Sequence, residues 1–210
     1  MRPSYGPWFK ALKDAGSHSG ATYQNSLRWN TFNVSNLAHN CIVSYCNDGS
    51  VEGKNHPTDY NVDGSATVRP VDEEGRQGAV VDMSAPMKGQ VRSATRTIVV
   101  LKDGTLEVTD VIEALPDMDC PVEWRMLTET TAEISGKGIR LSRKSAGRTL
   151  SVKSSDDTVS PVCSVLPAVL PESWDDEFTY IQKLKGRSIA SWSATVPAGK
   201  TVTFVTTLKK

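Results

Sequence analysis

Thr97-Ile98-Val99-Val100-Leu101-Lys102-Asp103-Gly104-Thr105-Leu106-Glu107-Val108-Thr109-Asp110-Val111 decides the fold. Two runs rich in β-branched residues flank Lys102-Asp103-Gly104, and Asp-Gly between such runs predicts a hairpin closed by a type I′ turn, whose two central residues need positive φ. Outward from this hairpin the same grammar repeats. Cys41–Tyr45, Ser65–Val71 and Gly78–Asp82 read as strands before it. Val122–Thr128, Thr131–Ser135, Ile139–Arg143 and Thr149–Lys153 read as strands after it, punctuated by Gly136-Lys137-Gly138 and Ser145-Ala146-Gly147. Ser188–Val196 and Thr201–Leu208 form a closing hairpin around Pro197-Ala198-Gly199-Lys200, while Ser154–Pro161 and Pro167–Phe178 are loops. About a dozen short strands with no long amphipathic helix predict an all-β protein, an antiparallel β-sandwich of two large stacked sheets. Trp124, Trp192 and Phe204 are the expected centre of its core.

Residues 1–26 are rich in Gly, Pro, Ser and aromatics without a period and read as an N-terminal arm; residues 27–210 read as one domain. A chain of 210 residues buries a core without needing disulfides or metals. Lys plus Arg equals Asp plus Glu at 24 each, and this balance argues against a nucleic-acid binder, which carries a basic excess. No apolar run reaches the length of a membrane-spanning helix, and Met1–Trp8 has no apolar core of a secretory signal. Cys41, Cys46, Cys120 and Cys163 lack metal-knuckle spacing. They are expected to be mostly free, buried thiols, with one or two disulfides left open.

Few groups are placed for chemistry. His39 lies in Asn36-Leu37-Ala38-His39-Asn40, directly before an apolar strand, and Asp82 ends the apolar run Ala79-Val80-Val81. A carboxylate there needs a partner to be buried. Imidazole and carboxylate would supply two zinc ligands, whereas a stable site wants three or four, and His56 is the nearest remaining histidine. Between Asp82 and Asp103 no carboxylate occurs, yet Lys88, Arg92, Arg96 and Lys102 do. Such a basic strip suits an acidic small molecule or sugar chain; an ordinary solvated strand face has the same composition. Glu172, Asp175, Asp176 and Glu177 read as a solvated turn, and no nucleophile elbow, phosphate-binding glycine loop or His-Glu-x-x-His motif is present.

The order of several short motifs is more specific than any of them alone. Arg28-Trp29-Asn30-Thr31-Phe32-Asn33-Val34-Ser35-Asn36-Leu37-Ala38-His39-Asn40-Cys41-Ile42-Val43 resembles the "RW…FR.NN..HNTL.I" segment of heparinase II/III-like polysaccharide lyases. Val51–His56 looks like their "NGQ.H", Ala79–Pro86 their "A..DLT..Y", Arg96–Glu113 their "R…V.D.." hairpin and Val122–Thr128 their "V.W.LHT". The resemblance covers roughly residues 27–143.

The family joins a helical (α/α) toroid to a C-terminal antiparallel β-sandwich, and only the sandwich is matched. It cleaves uronic-acid polysaccharides by β-elimination in a periplasmic or secreted setting. The resemblance therefore implies an acidic polysaccharide as ligand and an α/α toroid as partner domain. It implies His39 and Asn40 as catalytic candidates, Arg28, Arg92 and Arg96 as substrate-binding candidates, and His39 and Asp82 as ligands of a zinc site. Leu127 stands where the histidine of "LHT" completes that site, and Met87 is the nearest residue to the tyrosine that acts as acid/base in some members. The expectation is a sandwich domain with no or very weak lyase activity alone. The alternative is a non-catalytic carbohydrate-binding or structural sandwich.

Overall fold

A computed structural model describes residues 36–46, 64–168, 184 and 186–210. The expected arm, Arg28, His56 and the Glu172–Glu177 acids lie outside these residues. The strands are β1 (Ile42–Ser44), β2 (Thr67–Glu73), β3 (Arg76–Asp82), β4 (Ser93–Leu101), β5 (Leu106–Glu113) and β6 (Cys120–Thr128). They continue with β7 (Thr131–Ser135), β8 (Gly138–Arg143), β9 (Ala146–Ser154), β10 (Val162–Pro167), β11 (Ser188–Val196) and β12 (Thr201–Lys209). A four-stranded sheet in the order β1-β6-β11-β10 faces an eight-stranded sheet in the order β2-β3-β4-β5-β12-β9-β8-β7, and every strand pair is antiparallel. The protein is an all-β sandwich. Among the described residues no helix is long and apolar enough to cross a membrane.

Alternation fixes which side of each sheet is buried. Along β12, Val202, Phe204, Thr206 and Leu208 are buried and their neighbours are not, the period-two pattern of a sheet with one dry face. Trp124, Trp192 and Phe204 occupy the core as the sequence predicts. The Trp192 and Phe204 rings lie 4.7 Å apart in a tilted pair, and the indole Nε1 of Trp192 donates to Thr206 Oγ1 at 2.9 Å. The core indole polar group of Trp192 is thus satisfied across the two sheets. At the β2–β3–β4 end, by contrast, Val68, Ile98 and Val100 remain exposed on the face that is buried further along the same sheet.

The hairpin that decided the fold is present, with a different turn. Gly104 donates its N–H to Leu101 O at 2.8 Å, and Leu101 donates to Thr105 O at 2.8 Å. Only Gly104 has positive φ, +79°, whereas Asp103 uses its carboxylate to accept the Thr105 N–H at 2.8 Å. This is a turn followed by a left-handed glycine, the longer hairpin solution, rather than the two-residue type I′ turn. Strand β10 is a second departure, since Val162–Leu166 carries no clear alternation and lies between Pro161 and Pro167.

Gly78 has a role that no motif announces. A Cβ at this position would lie 1.8 Å from the carbonyl oxygen of Ile98 on the paired strand β4. Main chain cannot yield as a side chain can. Gly78→Ala is expected to lower unfolding free energy by about 2 kcal/mol, read by urea denaturation; an unchanged midpoint would show that β3 and β4 separate freely there.

The cysteine expectation needs correction. Cys46 and Cys120 form a disulfide spanning 74 residues of sequence, and Cys41 and Cys163 take no part in a disulfide. Their Cα atoms are 5.1 Å apart because β1 lies beside β6, a proximity that only the fold supplies.

Candidate functional site

The segment before β1 is held from two sides. Asn36–Ala38 forms one turn of 3-10 helix, and His39 N donates back to Asn36 O at 3.2 Å. On the small sheet, Arg125 of β6 donates its Nε to Leu37 O at 2.8 Å, and its Nη1 to Glu123 Oε1 at 2.7 Å. Tyr45 Oη donates to the other oxygen of the same carboxylate at 2.8 Å. On the large sheet, Arg96 of β4 donates its Nη1 to Asn40 O at 3.3 Å. The rest of that guanidinium grips Asp110 of β5 with two bonds, 2.6 and 3.1 Å long. Asn40 Oδ1 accepts the N–H of Leu127 at 2.8 Å, and Arg125 N donates to Cys41 O at 3.0 Å.

Register tells where these anchors lie. Arg125 is next to the inward-facing Trp124 and so projects to the outer side of the small sheet, while Arg96 pairs with Val81 and Asp110 on the inner side of the large one. The segment therefore straddles the rim of the smaller sheet. His39 and Asn40 sit at its crest, both exposed. Because the Asn40 amide oxygen is engaged with Leu127, its NH₂ is the group left to donate outward.

The anchors are buried charges, and burial shows in their protonation. Asp110 is fully buried, and loss of solvent pushes its carboxyl up, with Arg96 pulling the other way. Burial also raises the Tyr45 phenol, reinforced by the charge of Glu123. The phenol therefore stays a donor throughout the neutral range.

The structure sorts the sequence candidates. His39 and Asn40 are brought together at the surface. Arg96 contacts Asn40, but its guanidinium is buried and occupied by Asp110, so it does not face solvent as a substrate arginine would. Arg92 is exposed, 3.3 Å from Glu113. The basic strip is thereby broken, Arg96 being buried within β4 and Arg92 exposed just before it. Asp82 lies one residue along from Val81, hence on the opposite face of the sheet from Arg96 and the Asn40 contact. It is exposed, and Oδ1 accepts the Ser84 N–H at 2.9 Å; hydrogen bonds from Ser84 hold its carboxyl below the usual range. Among the described residues no three His, Cys, Asp or Glu side chains gather, and His56 lies outside those residues. Met87, the nearest residue to the tyrosine of the resembled lyases, is fully buried in the core.

Sequence reasoning missed Arg125, Glu123, Tyr45 and Asp110. The available signal was Glu123-Trp124-Arg125, two charges around a core tryptophan in a central strand. Asn40→Ala is expected to cost about 1 kcal/mol and to speed hydrogen exchange at the Leu127 amide. Unchanged exchange there would mean that the side-chain bond does not hold the segment.

No protein-family model matches the chain, and no curated protein matches it. Solved structures of heparinase III are similar to it in part. A heparinase III described as the BT4657 gene product gives a TM-score of 0.48 at 10% identity, over 69% of this chain and 21% of that one. Its form with methylated lysines gives 0.45 at 9% identity, over 68% and 21%. A further heparinase III crystal structure gives 0.46 at 10% identity, over 81% and 23%. The chain thus spans about a fifth of the length of these proteins.

Proposed function

We propose that this chain is the β-sandwich part of a heparinase II/III-like polysaccharide lyase, completing a cleft for an acidic polysaccharide whose other wall is an α/α toroid. The ordered motif series over residues 27–143 supports the family, and the exposed His39–Asn40 crest on its double anchor is the observation that carries the site. In β-elimination a base removes the C5 proton of a uronate while a donor to the carboxylate stabilises the charge that develops. The outward Asn40 amide suits the donor role and the His39 imidazole the proton-transfer role. Of the two described arginine candidates, Arg92 is the one exposed to a sugar chain. No step is routed through zinc. The Cys46–Cys120 disulfide is compatible with an oxidising, secreted or periplasmic setting.

Two measurements on the full chain test this. The ultraviolet absorbance of unsaturated uronide is followed with heparin, heparan sulfate, alginate and chondroitin, and no or very slow turnover is expected of the chain alone. Rapid turnover would overturn the need for a second wall. Binding of uronate oligosaccharides is measured in parallel, with His39→Ala expected to weaken it at least about fivefold. Binding indifferent to His39→Ala would favour a non-catalytic carbohydrate module.

A further inference from the structure

The described arginines fall into two groups. Arg76, Arg92, Arg96, Arg125 and Arg187 each stand within 3.6 Å of a carboxylate. Arg69, which lies apart on β2, and Arg140, Arg143 and Arg148 make no ion pair with a described residue. The same holds for Lys144 and Lys209.

The fold gathers five of these cations at one corner of the large sheet, where β8, β9 and β12 are neighbours. Arg143 and Lys144 close the β8–β9 hairpin, and Arg148 follows on β9. Thr149 pairs with Arg140 on one side and with Lys209 on the other, so those two cations flank it about 10 Å apart. Arg148 donates its Nη1 to Gly104 O at 3.4 Å, which ties the hairpin to the β4–β5 turn. Arg140, Arg143, Lys144 and Lys209 are exposed.

The counter-charges at this corner are two. Glu133 lies directly opposite Arg140. Asp103 accepts the Thr105 N–H, and that bond, then the charge of Lys209, holds its carboxyl below the usual range. Five cations thus meet two acids. The adjoining corner is balanced, since Lys102 donates its N–H to Gly75 O at 3.0 Å and so sits beside Glu73, Glu74 and Arg76. Lys144 adds a separate observation. At φ 54° it is the one non-glycine residue with positive φ among the described residues, a place where glycine would sit without strain. A cation held there against backbone preference points to a use for its charge.

This corner shares an end of the sandwich with the crest. Asn40 is bonded to Leu127 near the end of β6, and the connection to Thr131 leads to its partner Ser142, next to Arg143. From Leu127 to Arg143 is at most about 25 Å by that route. A polysaccharide spans such a distance and a single sugar does not. Single-stranded nucleic acid would need aromatic platforms for its bases, and no aromatic residue occurs from Arg125 to Ser173.

We infer that Arg140, Arg143, Lys144, Arg148 and Lys209 form a second, non-catalytic subsite that anchors an acidic polysaccharide beyond the His39 crest. The choice of polysaccharide rests on the lyase reading; the cationic corner itself does not.

The test is fluorescence anisotropy of the full chain with a labelled heparin dodecasaccharide over a range of salt concentrations. Binding that weakens as salt rises is expected. Arg143→Ser/Lys144→Gly is expected to weaken it at least about fivefold and to flatten the salt dependence, with the parent's circular dichroism spectrum. Lys137→Ser/Lys200→Ser removes the same charge from the opposite end of the sheet and is expected to change binding at most about twofold. No binding at low salt, or equal losses in the two double variants, would overturn the subsite. A single-stranded oligonucleotide of matched charge, bound as tightly through the same residues, would overturn its assignment to a polysaccharide. His39→Ala separates the two sites. Binding lost in the corner variant but kept in His39→Ala would uphold the corner and count against the crest, and the reverse would overturn the corner while leaving the crest.

Discussion

Replacing Arg96 with methionine is expected to lower the unfolding free energy by about 3–5 kcal/mol. The substitution keeps much of the aliphatic volume but leaves the fully buried Asp110 carboxylate without its two charge-assisted bonds. Arg96→Met/Asp110→Leu is expected to recover most of the loss, because a buried pair replaced by well-packed apolar groups forfeits little. Urea denaturation followed by tryptophan fluorescence measures both. The pH dependence gives an internal check. Burial raises the folded Asp110 carboxyl above its unfolded value and Arg96 opposes that rise. In Arg96→Met the opposition is gone, so the protonated form is favoured further. A group with a raised folded value contributes its stability below the ordinary carboxylate range and loses it as pH rises through the folded value. The deficit of the variant should therefore shrink in acid. A single variant as stable as the parent at neutral pH would show that the pair does not hold the two strands together. The same variant is expected to speed amide exchange at His39, since the clasp on Asn40 O is lost.

Reduction of the Cys46–Cys120 bond, or the double replacement by serine, is expected to cost about 4–5 kcal/mol. The magnitude follows from the 74-residue separation, since a cross-link over so long a loop removes much freedom from the unfolded chain. Both sulfurs are buried, so the folded protein should react slowly with thiols until it opens. There is a local consequence too. Strand β1 has only three residues paired with β6, and the disulfide fastens its end. Comparing denaturation midpoints with and without reductant measures the whole effect; exchange at Ile42 and Val43 measures the local one. Equal midpoints would show that the unfolded chain is already compact around this link.

The elements that were legible in the sequence are those with local causes. Alternation placed β5, β11 and β12 within a residue or two and the end of β4, which starts four residues before Thr97, and the large aromatics announced the core. What was not legible depends on partners far along the chain. Arg96 reads as one of four cations in a carboxylate-free stretch, and only the pairing of β4 with β5 turns it toward Asp110. Four cysteines allow several pairings, and only the adjacency of β1 and β6 selects one. Strand β10 carries no burial alternation, and without that signal only its pairing with β11 reveals it as a strand. His39 and Asn40 were visible as chemistry, whereas Arg125 and Glu123, which make their position definite, looked like ordinary strand charges.

Both guanidinium groups that grip the crest do so through main-chain oxygens, those of Leu37 and Asn40, which every amino acid carries. Neither bond is made by the side chain at position 39. The sandwich thus mounts this segment by its main chain, through two bonds that do not depend on which side chain stands at position 39.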